Sequence, residues 1–113
     1  LVGCEVWRAL DWMVDSAKVT MDVSEHENLQ TALLGVFDSQ IAGGKRYDLA
    51  SMGRRRANAT YFESHGVDQT LGLSYGMDMT SLIQNKDIDP CAYAESLIQN
   101  FAQDVTDRLR RVG

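Results

Sequence analysis

Thr70-Leu71-Gly72-Leu73-Ser74-Tyr75-Gly76-Met77-Asp78-Met79-Thr80 is the stretch on which the fold turns. Leu71, Leu73, Tyr75, Met77 and Met79 alternate with Gly72, Ser74, Gly76, Asp78 and Thr80, the period of a half-buried strand. Val19, Met21 and Val23 alternate too, so 18–24 and 70–80 would pair as a small sheet in an α+β fold. The same letters also serve a helix, because Leu71, Tyr75, Met79 and Leu82 recur at helical spacing and Asp68 can cap a helix running to Asn85. Gly72 and Gly76 would cost that helix roughly 1 kcal/mol each unless close packing uses them. The helical reading is the one adopted, with the small pairing as its alternative.

Working outward, the stretch Val2 to Met21 places Val6, Leu10, Met13, Ala17 and Met21 at three- and four-residue steps, with Trp7 and Val14 widening the face. This predicts an amphipathic first helix. Ser24 followed by Glu27 has the form of a capping box for a second helix, whose apolar arc is Leu29, Ala32, Leu33, Val36 and Phe37, broadened by Leu34 and Ile41. So wide an arc predicts cover on two sides, and Gly43-Gly44 ends the helix.

A third helix is read from Lys45 to Ser64, with one stripe of Tyr47, Ala50, Gly53, Ala57 and Tyr61 and another of Leu49, Met52, Ala59 and Phe62. His65 in its last turn suits the helix dipole, and Gly66 stops it. Asp89 as cap and Pro90 at the first helical position open the last helix, through Ala94, Leu97, Ile98, Phe101, Val105, Leu109 and Val112. The expected fold is therefore all-α: one helical domain over 1–113, a bundle of five helices at roughly 2–21, 25–42, 45–64, 69–86 and 90–112 joined by short turns.

Leu73-Ser74-Tyr75-Gly76 through Asp87-Ile88-Asp89-Pro90 to Ala94 resembles the helical dimerisation segment that precedes the catalytic domain in Mip-type prolyl isomerases. Thr80 stands where that segment has its second glycine, and the resemblance does not extend to the isomerase domain. The resemblance covers under a third of the chain and implies helix over 70–85.

The chain has 113 residues, 44% apolar and 24% charged, which suits one ordinary globular domain whose core needs no staple. Its longest apolar run, Ala32 to Phe37, is far short of the ~20 residues of a membrane helix, so no membrane insertion is expected. The start Leu1-Val2-Gly3 lacks an initiator Met, as expected of a mature form or a fragment, and nothing points to a compartment. Cys4 and Cys91 do not form a metal-site pattern, and the expectation is two covered free thiols. They become neighbours if the first and last helices start at one end of the bundle. Asn58-Ala59-Thr60 fits a glycosylation sequon but falls inside a helical pattern.

The net charge of -5 is segregated. Residues 1–44 carry net -5, residues 45–66 net +3, residues 67–107 net -6 and the last six residues net +3. Such asymmetry bears on association rather than fold.

No pattern of catalytic, cofactor-binding or metal-binding residues emerges from the spacing. His26, between Glu25 and Glu27, reads as a solvent-facing residue, and Asp87 and Asp89 read as capping and loop carboxylates. There is no glycine-rich phosphate loop and no nucleophile elbow. Arg54, Arg55 and Arg56 point in different directions from a helix, since successive residues lie about 100° apart. Arg55 is read on the polar outer side with Asp48, Ser51 and Asn58, and Arg56 in the stripe of Leu49, Met52, Ala59 and Phe62. Trp12 lies opposite the core stripe of the first helix, near Arg8, which marks it as an interface anchor.

The leading expectation is a non-catalytic interaction or assembly subunit, meeting a protein partner or a second copy through Trp12 and Arg8 on the first helix and Lys45, Arg46, Arg54 and Arg55 on the third. No cofactor is expected. One alternative is a small nucleic-acid-binding regulator using the Arg54–Arg56 and Arg108–Arg111 clusters, which the acidic balance and a pI of about 4.8 disfavour. Another is a ligand-binding helical domain with a pocket among Trp7, Phe37, Tyr75 and the methionines.

Overall fold

The computed structural model describes residues 1–5, 7–62 and 70–113. Among them are five α-helices and three strands: β1 (Val2–Gly3), β2 (Val19–Asp22), α1 (Glu27–Gly35), α2 (Asp38–Ile41), α3 (Tyr47–Tyr61), β3 (Leu73–Asp78), α4 (Thr80–Gln84) and α5 (Pro90–Val112). The chain is mostly helical, with a small antiparallel sheet in the order β1-β3-β2. The expectations that fall on His65, Gly66 and Asp68 lie outside the described residues.

Three of the five expected helices are corrected, that at 25–42 because Val36 and Phe37 interrupt it between α1 and α2. The described residues of 2–21 hold β1, a single 3-10 turn at Asp15–Ala17 and the start of β2, and of the expected helix 69–86 the stretch Thr80–Gln84 is helical while 73–78 is a strand. The resemblance to the isomerase dimerisation segment falls with that helix, because the strand occupies its first half. The reason is pairing that the local pattern does not contain. Val2 and Gly3 pair with Asp78 and Met77, and the Met79 amide donates to the Leu1 carbonyl at 2.8 Å. With its backbone groups satisfied in this way, the Gly-rich alternation escapes the helix penalty of Gly72 and Gly76.

The contacts divide into two compact units. The first comprises Leu1–Cys4, Leu10–Val19 and Gly76–Gly113. Its buried side chains are Leu10 and Met13, held by a turn in which the Met13 amide donates to the Leu10 carbonyl at 3.0 Å. Gly3 sits so close to Met79 that a Cβ there would lie 2.6 Å from its Sδ, which explains a glycine in β1. Cys4 and Cys91 are both free and, contrary to the covered thiols expected, exposed.

α5 follows its sequence reading. Asp89 accepts from the amides of Cys91 and Ala92 at 3.2 and 3.3 Å, and Pro90 fills the first turn, where no amide is needed. Asp89→Ala is expected to lower stability by about 1 kcal/mol. Asp89→Asn should recover most of the loss in urea unfolding; an equal loss for both would show that the cap is not what Asp89 contributes.

The second unit comprises Glu5–Ala9 and Thr20–Tyr75. Here α1 and α3 pack together, with Leu34, Ala59, Leu73 and Tyr75 buried. α1 does not bury the arc read from its spacing: Leu34 is buried, while Leu29, Leu33, Val36 and Phe37 are exposed among the described residues. The Ser24 capping box is also corrected. Ser24 Oγ donates to Asp22 Oδ1 at 2.6 Å, and α1 starts at Glu27 without a side-chain cap. Gly43 and Gly44, both at positive φ, close the α2 segment as expected.

Asp22 fastens the end of β2. Its Oδ1 accepts from the Ser24 hydroxyl, the Thr70 hydroxyl at 2.6 Å and the Ser24 amide at 3.0 Å, and these bonds, that from the Ser24 side chain first, hold its carboxyl down at about 2. A carboxyl depressed by folding stabilises above its unfolded pKa, about 4, and that stabilisation disappears as pH falls toward 2. The urea midpoint is therefore expected to fall between pH 4 and 2 by more in the native chain than in Asp22→Asn, which cannot ionise. Equal falls would remove Asp22 from the account of acid sensitivity.

Candidate functional site

The face of α3 that carries Asp48, Ser51, Arg55 and Asn58 is polar at every position, and the sequence reading turned it outward. The structure turns it inward: Ser51 is buried, Asp48, Arg55 and Asn58 are half-buried, and Arg56, read near the core, is exposed. Polar side chains tolerate that placement only when bonded. Asn58 Nδ2 donates to the Leu73 carbonyl at 3.1 Å, and the Tyr75 hydroxyl donates to the Asn58 carbonyl at 3.5 Å. Arg55 Nη1 donates to Gln30 Oε1 at 2.7 Å, and Gln30 Nε2 donates in turn to the Val23 carbonyl. This chain of bonds ties α3 to α1 and to the end of β2.

Arg55 forms a wall of two hollows in this unit. One is a cleft of about 260 Å³ between α1 and α3, lined by Val23, Glu27, Gln30, Met52, Arg55 and Leu71 among others. The other is a polar cavity of about 30 Å³, lined by Glu5, Trp7, Arg8, Ala9, Ser51, Arg54, Arg55, Asn58, Ser74 and Tyr75. Burial lowers the pKa of Arg55, because its guanidinium has given up water for neutral acceptors, Gln30 Oε1 and Met52 Sδ.

Of the six residues singled out from sequence, the structure gathers Arg8, Arg54 and Arg55 at this one cavity. Lys45 and Arg46 lie at the start of α3. Arg46, at a positive φ of 51°, is spent on its neighbour: Nε and Nη2 reach the two carboxylate oxygens of Asp48 at 3.0 and 2.9 Å, which raises the arginine's pKa and lowers the carboxyl's. Trp12 belongs to the other unit, half-buried in a turn. The helical phase that set it opposite the core does not exist, so that argument for Trp12 lapses.

Trp7 was read as part of a helical core face. It stands instead in an aromatic group, its ring 5.5 Å from Phe37 edge-on and 5.2 Å from Tyr47. Ser51 was read only as part of the polar outer side, since an isolated serine in a helix carries no signal of its own; its role needs the burial. Of the C-terminal cluster, Arg108 pairs with Asp104 on the same helix at 3.0 Å. Among the described residues no group of His, Cys, Asp and Glu is placed to hold a metal ion, and no helix is long and apolar enough to cross a membrane. No known protein family, curated protein or solved structure matches the chain.

Proposed function

We propose that the chain is a non-catalytic interaction domain of a larger protein assembly, docking an acidic protein partner on the basic surface around the start and middle of α3. The observation that supports this most is the gathering of Arg8, Arg54 and Arg55 at one opening beside Trp7 and Tyr75. Arginine, tryptophan and tyrosine are the residue types that dominate binding energy at protein interfaces. Lys45, exposed at the start of α3, extends the positive field, which steers an acidic partner and fixes its register.

Native mass spectrometry of the full chain isolated from its source tests the reading. The expected result is a complex with an acidic protein that weakens from 0.1 M to 0.5 M salt and loses about tenfold in affinity in Arg8→Gln or Lys45→Gln. A chain that stays alone, or a complex indifferent to salt and to both substitutions, would overturn it.

A further inference from the structure

Ser51 Oγ is the buried side-chain polar atom that has no hydrogen-bond partner among the described residues, and Ser51 is only 6% exposed. It lines the 30 Å³ cavity together with Arg8, Arg54, Arg55, Asn58 and Glu5, so three arginines and one glutamate contribute to its wall. Arg55 bonds the neutral acceptors Gln30 Oε1 and Met52 Sδ. The cavity thus offers an unused hydroxyl donor and an excess of positive charge at the same place.

Its size narrows what can enter. One water needs about 10–15 Å³ of such space, so 30 Å³ admits about two oxygen-sized groups. That is the head of a carboxylate or one edge of a phosphate, with the rest of the molecule outside, and it is too small for a sugar or a base. A purely apolar occupant would leave the Ser51 hydroxyl unsatisfied.

We propose that this cavity is a binding site for a single oxyanion, a carboxylate or phosphate group, to which Ser51 Oγ donates a hydrogen bond and Arg8 and Arg55 supply charge-assisted ones. The site deepens the docking reading, since a partner's acidic side chain or a phosphorylated one would present such a group, but a free anion fills it equally well.

The probes are inorganic phosphate and acetate, titrated into the full chain by calorimetry near neutral pH, with sodium chloride at matched ionic strength as reference. The expected result is saturable binding of at least one probe beyond the chloride response, weakened about tenfold in Ser51→Ala and in Arg8→Gln. Saturation by phosphate alone assigns the site to phosphate groups, and saturation by acetate alone to carboxylates; both support it. If neither probe exceeds chloride, the cavity holds water and the proposal is overturned. Binding that is unchanged in both variants places the anion elsewhere and overturns it too. Anion binding without any protein partner would sink the docking reading and leave this site standing, whereas an arginine-dependent partner without anion binding would do the reverse.

Discussion

Leu10→Ala is expected to lower stability by about 3 kcal/mol, and Leu10→Gly by no more than that. The first figure follows from burial: Leu10 is 3% exposed, and truncating such a side chain removes its transfer energy and leaves a void. The second follows from the backbone. Leu10 has a φ of 56°, where a side chain beyond glycine costs roughly 1–2 kcal/mol. Glycine ordinarily stands about 1 kcal/mol below alanine, because the unfolded chain it joins is more disordered. At residue 10 the relief of strain offsets that deficit. The comparison belongs with Met13, 2% exposed and absent from the residues of positive φ, where Gly should stand below Ala by the usual margin. Urea unfolding of the four variants reads both differences, and equal Gly-below-Ala margins at the two sites would sink the argument.

The same residue shows what the letters of this chain do and do not carry. The three- and four-residue spacing of Leu10 and Met13 identified two buried positions correctly while misreading their backbone, which is a turn. Apolar spacing reports which side chains avoid water; conformation depends on where the amides find acceptors. α5 was legible because everything it needs is local: Asp89, Pro90 and a regular apolar stripe. α3 was legible in extent, Tyr47–Tyr61 inside the expected 45–64, but not in orientation. Its inward face is polar because Gln30 and the Leu73 carbonyl, 25 and 15 residues away, bond Arg55 and Asn58. β3 is the extreme case, its helix-or-strand choice settled by Val2 and Gly3 at the far end of the chain. The α+β alternative named this sheet's β2 and β3 region but had no means of supplying β1. The candidate cavity inherits the same limit. Its three arginines stood out in the sequence as charges, yet only the fold brings Arg8, from a distant segment, to one opening with Arg54 and Arg55 around Ser51.

Ser51→Ala is expected to raise stability by about 1–2 kcal/mol in phosphate-free buffer. Two terms act in the same direction. A buried hydroxyl without a partner forgoes its water bonds and receives nothing in exchange, a loss of about 1–3 kcal/mol that the methyl group does not incur. Alanine also favours the helix interior more than serine does, by up to about half a kcal/mol. Other hydroxyls mark the contrast: Thr60 Oγ1 donates to the Arg56 carbonyl at 2.9 Å and Thr106 Oγ1 to the Ala102 carbonyl at 2.9 Å, so neither is orphaned and replacing either should be close to neutral. A serine that destabilises the empty fold but completes an anion site is the pattern expected where function is kept at the expense of stability. The urea midpoint of Ser51→Ala should therefore lie above that of the native chain without phosphate, and the gap should narrow as phosphate is added, because only the native chain gains. A midpoint below the native one in phosphate-free buffer would mean that the hydroxyl is already satisfied, by a water held among Arg8, Arg55 and Asn58, and the unused donor on which the site depends would not exist.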